Sequence, residues 1–268
     1  MKNRRFQQAV IAMSLFLTGL LLLNGCRPSG KTLERIQANG IIRVGLDPTF
    51  PPFENGDTGT LEGIDIDLAY AIGREMGVAV EFVLLGYDGL YDALLINQCD
   101  ILISALIVDN TKTKDFAYTE PYFNAGQVLI VHEKNNATEE LSDLEGQVIV
   151  VETGSEGHVQ ALSAQNQVKK LKIKTVPTAA DALWIVLQGE ADGALVDQVN
   201  ARLYIQAQPN LKIVPKPVTV EPYGVVTRKD DNKLMAELNR VLNKLETSGE
   251  LSQIVEKWLD GTKTTASH

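Results

Sequence analysis

A repeated switch between two hydrophobic periods constrains this chain most. From Ile41 to about Pro215, apolar runs of strand length alternate with segments whose apolar residues recur every three or four positions. Ile41 to Leu46 reads as a strand, and Asp47 to Thr60, rich in Pro, Gly and Asp, as loop. Ile64, Leu68, Ile72 and Met76 then mark one helix face, with Asp65 placed as its N-cap and Gly77 as its stop. Val78 to Leu84 is the next strand, Gly89 to Asn97 the next helix, and Ile101 to Leu106 a buried strand. A second round follows: strand at Val148 to Val151, helix at His158 to Ala164, strand at Lys172 to Val176. Thr178 to Gln188 is a helix whose Thr178 and Asp181 are spaced as a capping box. Gly193 to Val196, Val199 to Gln206 and Leu211 to Val214 complete it as strand, helix and strand. The tail differs, with a strand at Tyr223 to Thr227 and two helices, Leu234 to Leu245 and Leu251 to Leu259. Such alternation builds parallel sheets flanked by helices through right-handed crossovers. Two rounds predict two α/β lobes. Ligands of such sheets bind beyond the carboxyl ends of strands, and a cleft between lobes is a favoured site.

The N-terminus carries a different signal. Lys2, Arg4 and Arg5 precede an apolar run from Ala9 to Leu23, and Leu23-Asn24-Gly25-Cys26 follows. A basic start, a short apolar stretch and a small residue before the cut describe a signal peptide over residues 1–25. The Cys directly after the small residue resembles the lipobox of bacterial lipoproteins, which implies lipid on Cys26 and a membrane anchor through it. An uncleaved membrane anchor is the other reading. Both put the rest of the chain outside the cytoplasm, at a cell surface or in a periplasm. Loss of the leader removes three basic residues and no acidic one, which takes the formal charge from −9 to −12. A chain so acidic is ill-suited to nucleic acid. With Cys26 lipidated, Cys99 has no partner and is expected as a small buried hydrophobe.

Gly63-Ile64-Asp65-Ile66-Asp67-Leu68, followed by Ile72, Gly73 and Met76, resembles the signature of the solute-binding proteins of polar amino-acid ABC transporters, extracellular solute-binding family 3. Val44 to Glu54 looks like that family's first strand and loop. Tyr87-Asp88-Gly89-Leu90, Asp100 to Ser104, Phe116 to Phe123 and Asp192 to Asp197 are similar to its later segments, so the resemblance runs over roughly residues 33–260. It implies the type II periplasmic-binding-protein-like fold, two α/β lobes joined by a two-crossing hinge. Lobe 1 would hold residues 27–124 and 222–268, and lobe 2 residues 125–221. It also implies a small-molecule ligand, an ABC transporter permease as partner, no cofactor and no catalysis.

The resemblance assigns site residues by position. Asp197 matches the Asp that holds a ligand ammonium, and Phe50 the aromatic of the first loop, which also carries Asp47. Tyr87 walls the pocket. Ser104 and Leu106 lie on the lobe 1 strand that meets the ligand, and Ser155 opens a helix whose free N–H groups suit an anion. Three positions depart from the pattern. Ile107 stands where a hydroxyl is expected, Lys112 where an Arg is expected, and Glu156 where a second hydroxyl is expected. Lys112 can pair with a carboxylate only as a point charge, without the bidentate fork, and Lys114 is the alternative partner. Glu156 repels a carboxylate and attracts a cation. Each residue also has an ordinary structural role open to it. Asp197 can cap the helix that follows, Phe50 and Tyr87 can be core aromatics, and Lys112 and Glu156 can be solvated charges.

Other chemistries find less support in the residues. His132, His158 and His268 lack metal-ligand spacing. Gly154 to His158 lacks the Gly-Lys-Ser/Thr ending of a phosphate loop, and Ser155 lacks a nucleophile-elbow pattern. Two alternatives share the fold by resemblance: a cyclohexadienyl-type dehydratase with Glu156 or Asp197 as general acid, and a sensory ligand-binding module.

Overall fold

The structure is a computed structural model that describes residues 31–57 and 59–261 of the 268. The expected leader and Cys26 lie outside the described residues. Fourteen strands and eight α-helices follow one another among them. In lobe 1, α1 (Thr32–Asn39) leads to β1 (Ile41–Leu46), then to the small hairpin β2 (Thr49–Phe50) and β3 (Glu54–Asn55). Next come α2 (Ile64–Met76), β4 (Ala79–Leu84), α3 (Leu90–Leu95), β5 (Ile101–Leu102), β6 (Phe116–Tyr118) and β7 (Phe123–Asn124). Lobe 2 holds β8 (Gln127–His132), β9 (Val148–Glu152), α4 (Glu156–Gln165), β10 (Lys172–Val176), α5 (Ala179–Leu187), β11 (Gly193–Asp197), α6 (Gln198–Ala207) and β12 (Leu211–Ile213). The chain returns through β13 (Pro222–Tyr223) to β14 (Val226–Arg228), α7 (Asn232–Thr247) and α8 (Glu250–Leu259).

Each lobe contains one five-stranded sheet, in the orders β4-β1-β5-β14-β6 and β10-β9-β11-β8-β12. The sheets are mixed, which corrects the expectation of parallel ones. Three neighbouring strands in each pair in parallel, but β14 is antiparallel to β5 and β6, and β8 is antiparallel to β11 and β12. The physical reason is the hinge. Strands β7 and β13 pair antiparallel at the two crossings, Asn124 opposite Pro222 and Phe123 opposite Tyr223. The strand after each crossing, β8 or β14, enters its sheet directly from the hinge and therefore runs against the βαβ strands.

The core is divided in the same way. Helices α2, α7 and α8 bury Ile64, Leu68, Ile72, Leu238, Leu242 and Ile254 with Phe53, Phe123 and Tyr223 in the main lobe 1 cluster. Lobe 2 has one cluster on each sheet face, α5 and α6 covering one and α4 the other. Cys99 is free and buried beside Leu90, Leu94 and Leu102.

Two local readings change. The strand expected over Ile101 to Leu106 pairs only at Ile101 and Leu102; Ala105 has φ +45°, which turns the chain out of the sheet. Asp65 does not cap α2. The first N–H groups of that helix go to main-chain carbonyls, Ile64 N to Pro52 O at 3.0 Å and Asp65 N to Phe53 O at 2.9 Å. The N-cap is Gly63 at φ +137°, where a Cβ would lie 2.1 Å from the Phe53 carbonyl oxygen. With its capping task taken by the main chain, the Asp65 side chain turns inward and is fully buried.

Candidate ligand cleft

The end of β1 and the turns after β4 and β5 converge on one side of lobe 1. Asp47 follows β1, Tyr87 follows β4 and Ser104 follows β5, so all three lie beyond the carboxyl ends of adjacent parallel strands. The Asp47 carboxylate accepts the Tyr87 N–H at 2.8 Å and the Thr49 hydroxyl at 2.8 Å. The Asp47 N–H donates to Ser104 Oγ at 3.0 Å. These bonds stitch the three turns into one wall. With Phe50, Glu54, Ile107 and Tyr223 they line a cavity of about 380 Å³. Phe50 is half exposed and stacks on Phe53 at 5.9 Å between ring centroids. Phe53 meets the hinge rings Phe123 and Tyr223 edge-on at 5.2 and 5.3 Å. An aromatic path thus runs from the cleft wall to the hinge.

A second cavity of about 540 Å³ adjoins the first through Tyr87 and Ile107. Lys112 lines it. Its Nζ donates to Asp109 Oδ2 at 2.9 Å and sits 5.3 Å from the centre of the Tyr91 ring. Hydrogen bonds from Thr111, then the Lys112 ammonium, pull the Asp109 carboxyl down to about 2. Asp109 in turn raises Lys112 above the ordinary ammonium value. Leu106 does not line either cavity. Its side chain is buried with Leu90 and Leu94, and its carbonyl accepts the Gly224 N–H at 3.0 Å.

The lobe 2 candidates sit at the carboxyl ends of β9 and β11, which pair in parallel with Leu195 opposite Val151. Ser155 caps α4, its Oγ accepting the His158 N–H at 3.1 Å. Glu156 is exposed and accepts from Gln160 Nε2 at 2.7 Å. Asp197 caps α6 and holds Asn200 twice, the backbone N–H at 2.9 Å and Nδ2 at 2.7 Å. The helix-cap role open to Asp197 in the sequence is therefore filled. The hydrogen bonds of Glu156 and Asp197 described here stay within lobe 2. Both cavities are lined by lobe 1 and the hinge, so the cleft stands open.

Below the first cavity lies a feature the sequence reading missed. Glu54 and Asp65 are both buried, at 1% and 0% exposure, with the equally buried Tyr122 beside them. Ser104 Oγ donates to Glu54 Oε1 at 2.6 Å, and the Ala105 N–H donates to Asp65 Oδ2 at 2.7 Å. Burial, and next the Asp65 charge, push the Glu54 carboxyl far above the usual carboxylate range. Burial also raises Asp65, while hydrogen bonds from Glu54 and from the Ala105 N–H oppose that rise. The only sequence signal was two acidic residues directly beside large apolar ones, Phe53-Glu54 and Ile64-Asp65-Ile66.

Two α/β lobes on a double-crossing hinge, with turns gathered beyond the strand ends and an open cleft, define a type II periplasmic binding fold. The chain belongs to the bacterial extracellular solute-binding proteins, family 3, which it matches over residues 42–261. It is 26% identical over 267 residues to the probable amino-acid-binding protein YxeM of Bacillus subtilis, with 97% of each chain covered. Among solved structures it is similar to an ancestral cationic amino-acid solute-binding protein, at 33% identity, TM-score 0.62, and 85% and 99% of the two chains. It is also similar to an ancestral cyclohexadienyl dehydratase, at 27% identity, TM-score 0.75, and 88% and 98% coverage. Family membership places the protein outside the cytoplasm. Among the described residues no helix is long and apolar enough to cross a membrane.

Proposed function

We propose that this protein captures a cationic amino acid by closing its lobes and delivers it to an ABC importer. The observation that carries the reading is the Asp47 carboxylate set among Phe50, Tyr87 and Tyr223 in the first cavity. A carboxylate walled by aromatic faces suits a cation, through charge and through the ring quadrupoles. The cleft offers little to a free anion, since Lys112 is already paired with Asp109. Asp197 and Glu156 add acceptors for an ammonium when lobe 2 closes, and the start of α4 at Ser155 adds N–H donors for a carboxylate. The lobe limits we assign are residues 27–124 with 222–268, and 125–221, with lipid on Cys26 holding the protein at the membrane.

A thermal-shift panel on the chain from Arg27 onward tests this. It contains L-arginine, L-lysine, L-histidine, L-cystine, L-glutamate, polyamines and cyclohexadienyl acids. A ligand at about 100 times its dissociation constant stabilises the fold by about 2.7 kcal/mol. Shifts confined to cationic amino acids support the reading, and a shift confined to L-glutamate refutes it. The dehydratase similarity gives the panel its last member. Consumption of a cyclohexadienyl acid would make the protein an enzyme with Glu156 or Asp197 as its acid.

A further inference from the structure

Three buried side-chain oxygens among the described residues have no hydrogen-bond partner: Glu54 Oε2, Asp65 Oδ1 and the Tyr122 hydroxyl. Glu54 and Asp65 lie together, since the Asp65 N–H donates to the carbonyl of Phe53 beside Glu54 and the consecutive residues Ser104 and Ala105 donate to the two carboxyl groups. Buried polar atoms are almost always satisfied, and two buried carboxylates cannot share one site as anions. We propose that a single proton resides on Glu54 Oε2, donated to Asp65 Oδ1, and that Glu54 is thereby a positioning residue for the ligand cleft.

One proton gives Glu54 Oε2 and Asp65 Oδ1 partners without disturbing the bonds around them. The Asp47 N–H donates to Ser104 Oγ, and the Ser104 hydroxyl donates to Glu54 Oε1. Glu54 Oε2 then donates to Asp65 Oδ1, while Asp65 Oδ2 keeps the Ala105 N–H. Asp65 is the member that stays charged, because a main-chain donor, the Ala105 N–H, already serves it. The chain of donors fixes Ser104 and Asp47, two residues of the cavity wall, and holds Ala105 at its positive φ of +45°. Without the proton, Glu54 and Asp65 repel each other directly beneath that wall. The titratable groups facing the pair are Asp47 after β1, Tyr122 before β7 and Tyr223 on β13. All three are anionic or neutral, so among the described residues no cation is at hand to replace the proton.

The sign of the pH effect follows. A carboxyl raised in the fold holds its proton where the unfolded chain has lost it. Its stabilisation is complete below the ordinary Glu value of 4.5 and is lost as pH rises toward the folded value.

The proton placement rests on the network alone, whereas its effect on capture rests on the cleft being the ligand site. The test separates the two. Infrared spectra of the purified full chain at neutral pH should show a protonated-carboxyl C=O band that Glu54→Gln abolishes and that L-arginine is not needed to produce. Glu54→Gln, which keeps an acceptor and a donor, should stay folded and flatten the fall of stability with rising pH. Glu54→Ala should weaken L-arginine binding at least about tenfold, and Glu54→Gln should restore most of that loss. Absence of the band, or a band that survives both Glu54→Gln and Asp65→Asn, overturns the proton placement. A band that Glu54→Gln abolishes, beside L-arginine affinities that do not differ between Glu54→Ala and the parent, overturns the positioning role. If the parent shows the band but binds no cationic amino acid, the failure lies in the functional reading, the proton placement stands, and the positioning role is overturned.

Discussion

Arg202 and Asp260 join the two lobes away from the cleft. Arg202 Nε on α6 donates to Asp260 Oδ1 at 2.8 Å, and Asp260 ends α8 of lobe 1. Val199, one turn earlier on α6, packs on the lobe 1 core. The same helix begins at Asp197 on the cleft side. Helix α6 therefore carries Asp197 at its start and the cross-lobe contact near its middle, so hinge rotation moves the two together.

Arg202→Ala should favour closure. The ion pair is present with the cleft open, so it opposes a rotation that separates α6 from α8. Partly exposed pairs contribute about 0.2–1 kcal/mol, which corresponds to at most about a fivefold gain in ligand affinity. Isothermal titration with the ligand found in the thermal-shift panel checks it. Weaker binding would mean that the contact persists in the closed form.

Asp197 has two roles that substitution can separate. Asn caps a helix about as well as Asp, whereas Ala does not. Asp197→Asn should therefore keep the melting temperature and lose ligand affinity by about 2–5 kcal/mol, the cost of an unpaired buried ammonium. Asp197→Ala should lose the same affinity and about 1 kcal/mol of stability besides. Undiminished affinity in Asp197→Asn would reduce Asp197 to a cap.

The sequence made the lobes legible because period changes survive without tertiary context. Ala179–Leu187 and Gly193–Asp197 stand within a residue or two of their expected limits. The Thr178 cap also stands, its Oγ accepting the Asp181 N–H at 3.1 Å, although Asp181 then accepts the Thr178 hydroxyl rather than closing a full capping box. Strand direction was not legible, because β8 and β14 are antiparallel only on account of the hinge that feeds them. Of the candidate site residues, Asp47, Phe50, Tyr87 and Ser104 share one cavity. Leu106 turns its side chain into the core, a placement that its position on the segment did not reveal. Asp65 was misread for a related reason. A helix-cap pattern does not reveal that the preceding loop supplies carbonyls to the same N–H groups.

Gly63→Ala tests that loop. The residue sits at φ +137°, and an added Cβ would stand 2.1 Å from the Phe53 carbonyl oxygen. Backbone strain of this kind costs about 1–3 kcal/mol, and the loop must also yield. We expect at least that loss in chemical denaturation. An unchanged midpoint would show that Pro52 and Phe53 do not hold the start of α2.

Lys112 is the position where ligand charge can be read most directly. Its ammonium is shared between Asp109 and the Tyr91 ring, so a ligand carboxylate must compete with Asp109 for it. Asp109, depressed to about 2 from an ordinary 3.8, stays ionised across the physiological range. The pair's contribution to stability is present above about pH 4 and is lost as pH falls through about 2. Removing the competitor with Asp109→Asn should strengthen L-arginine binding and leave agmatine, which has no carboxylate, unchanged. Lys112→Ala should weaken L-arginine and spare agmatine. Parallel titrations of both ligands against both variants decide it. Equal losses for L-arginine and agmatine in Lys112→Ala would assign Lys112 to the shape of the wall, and the carboxylate would then fall to Ser155 at the start of α4.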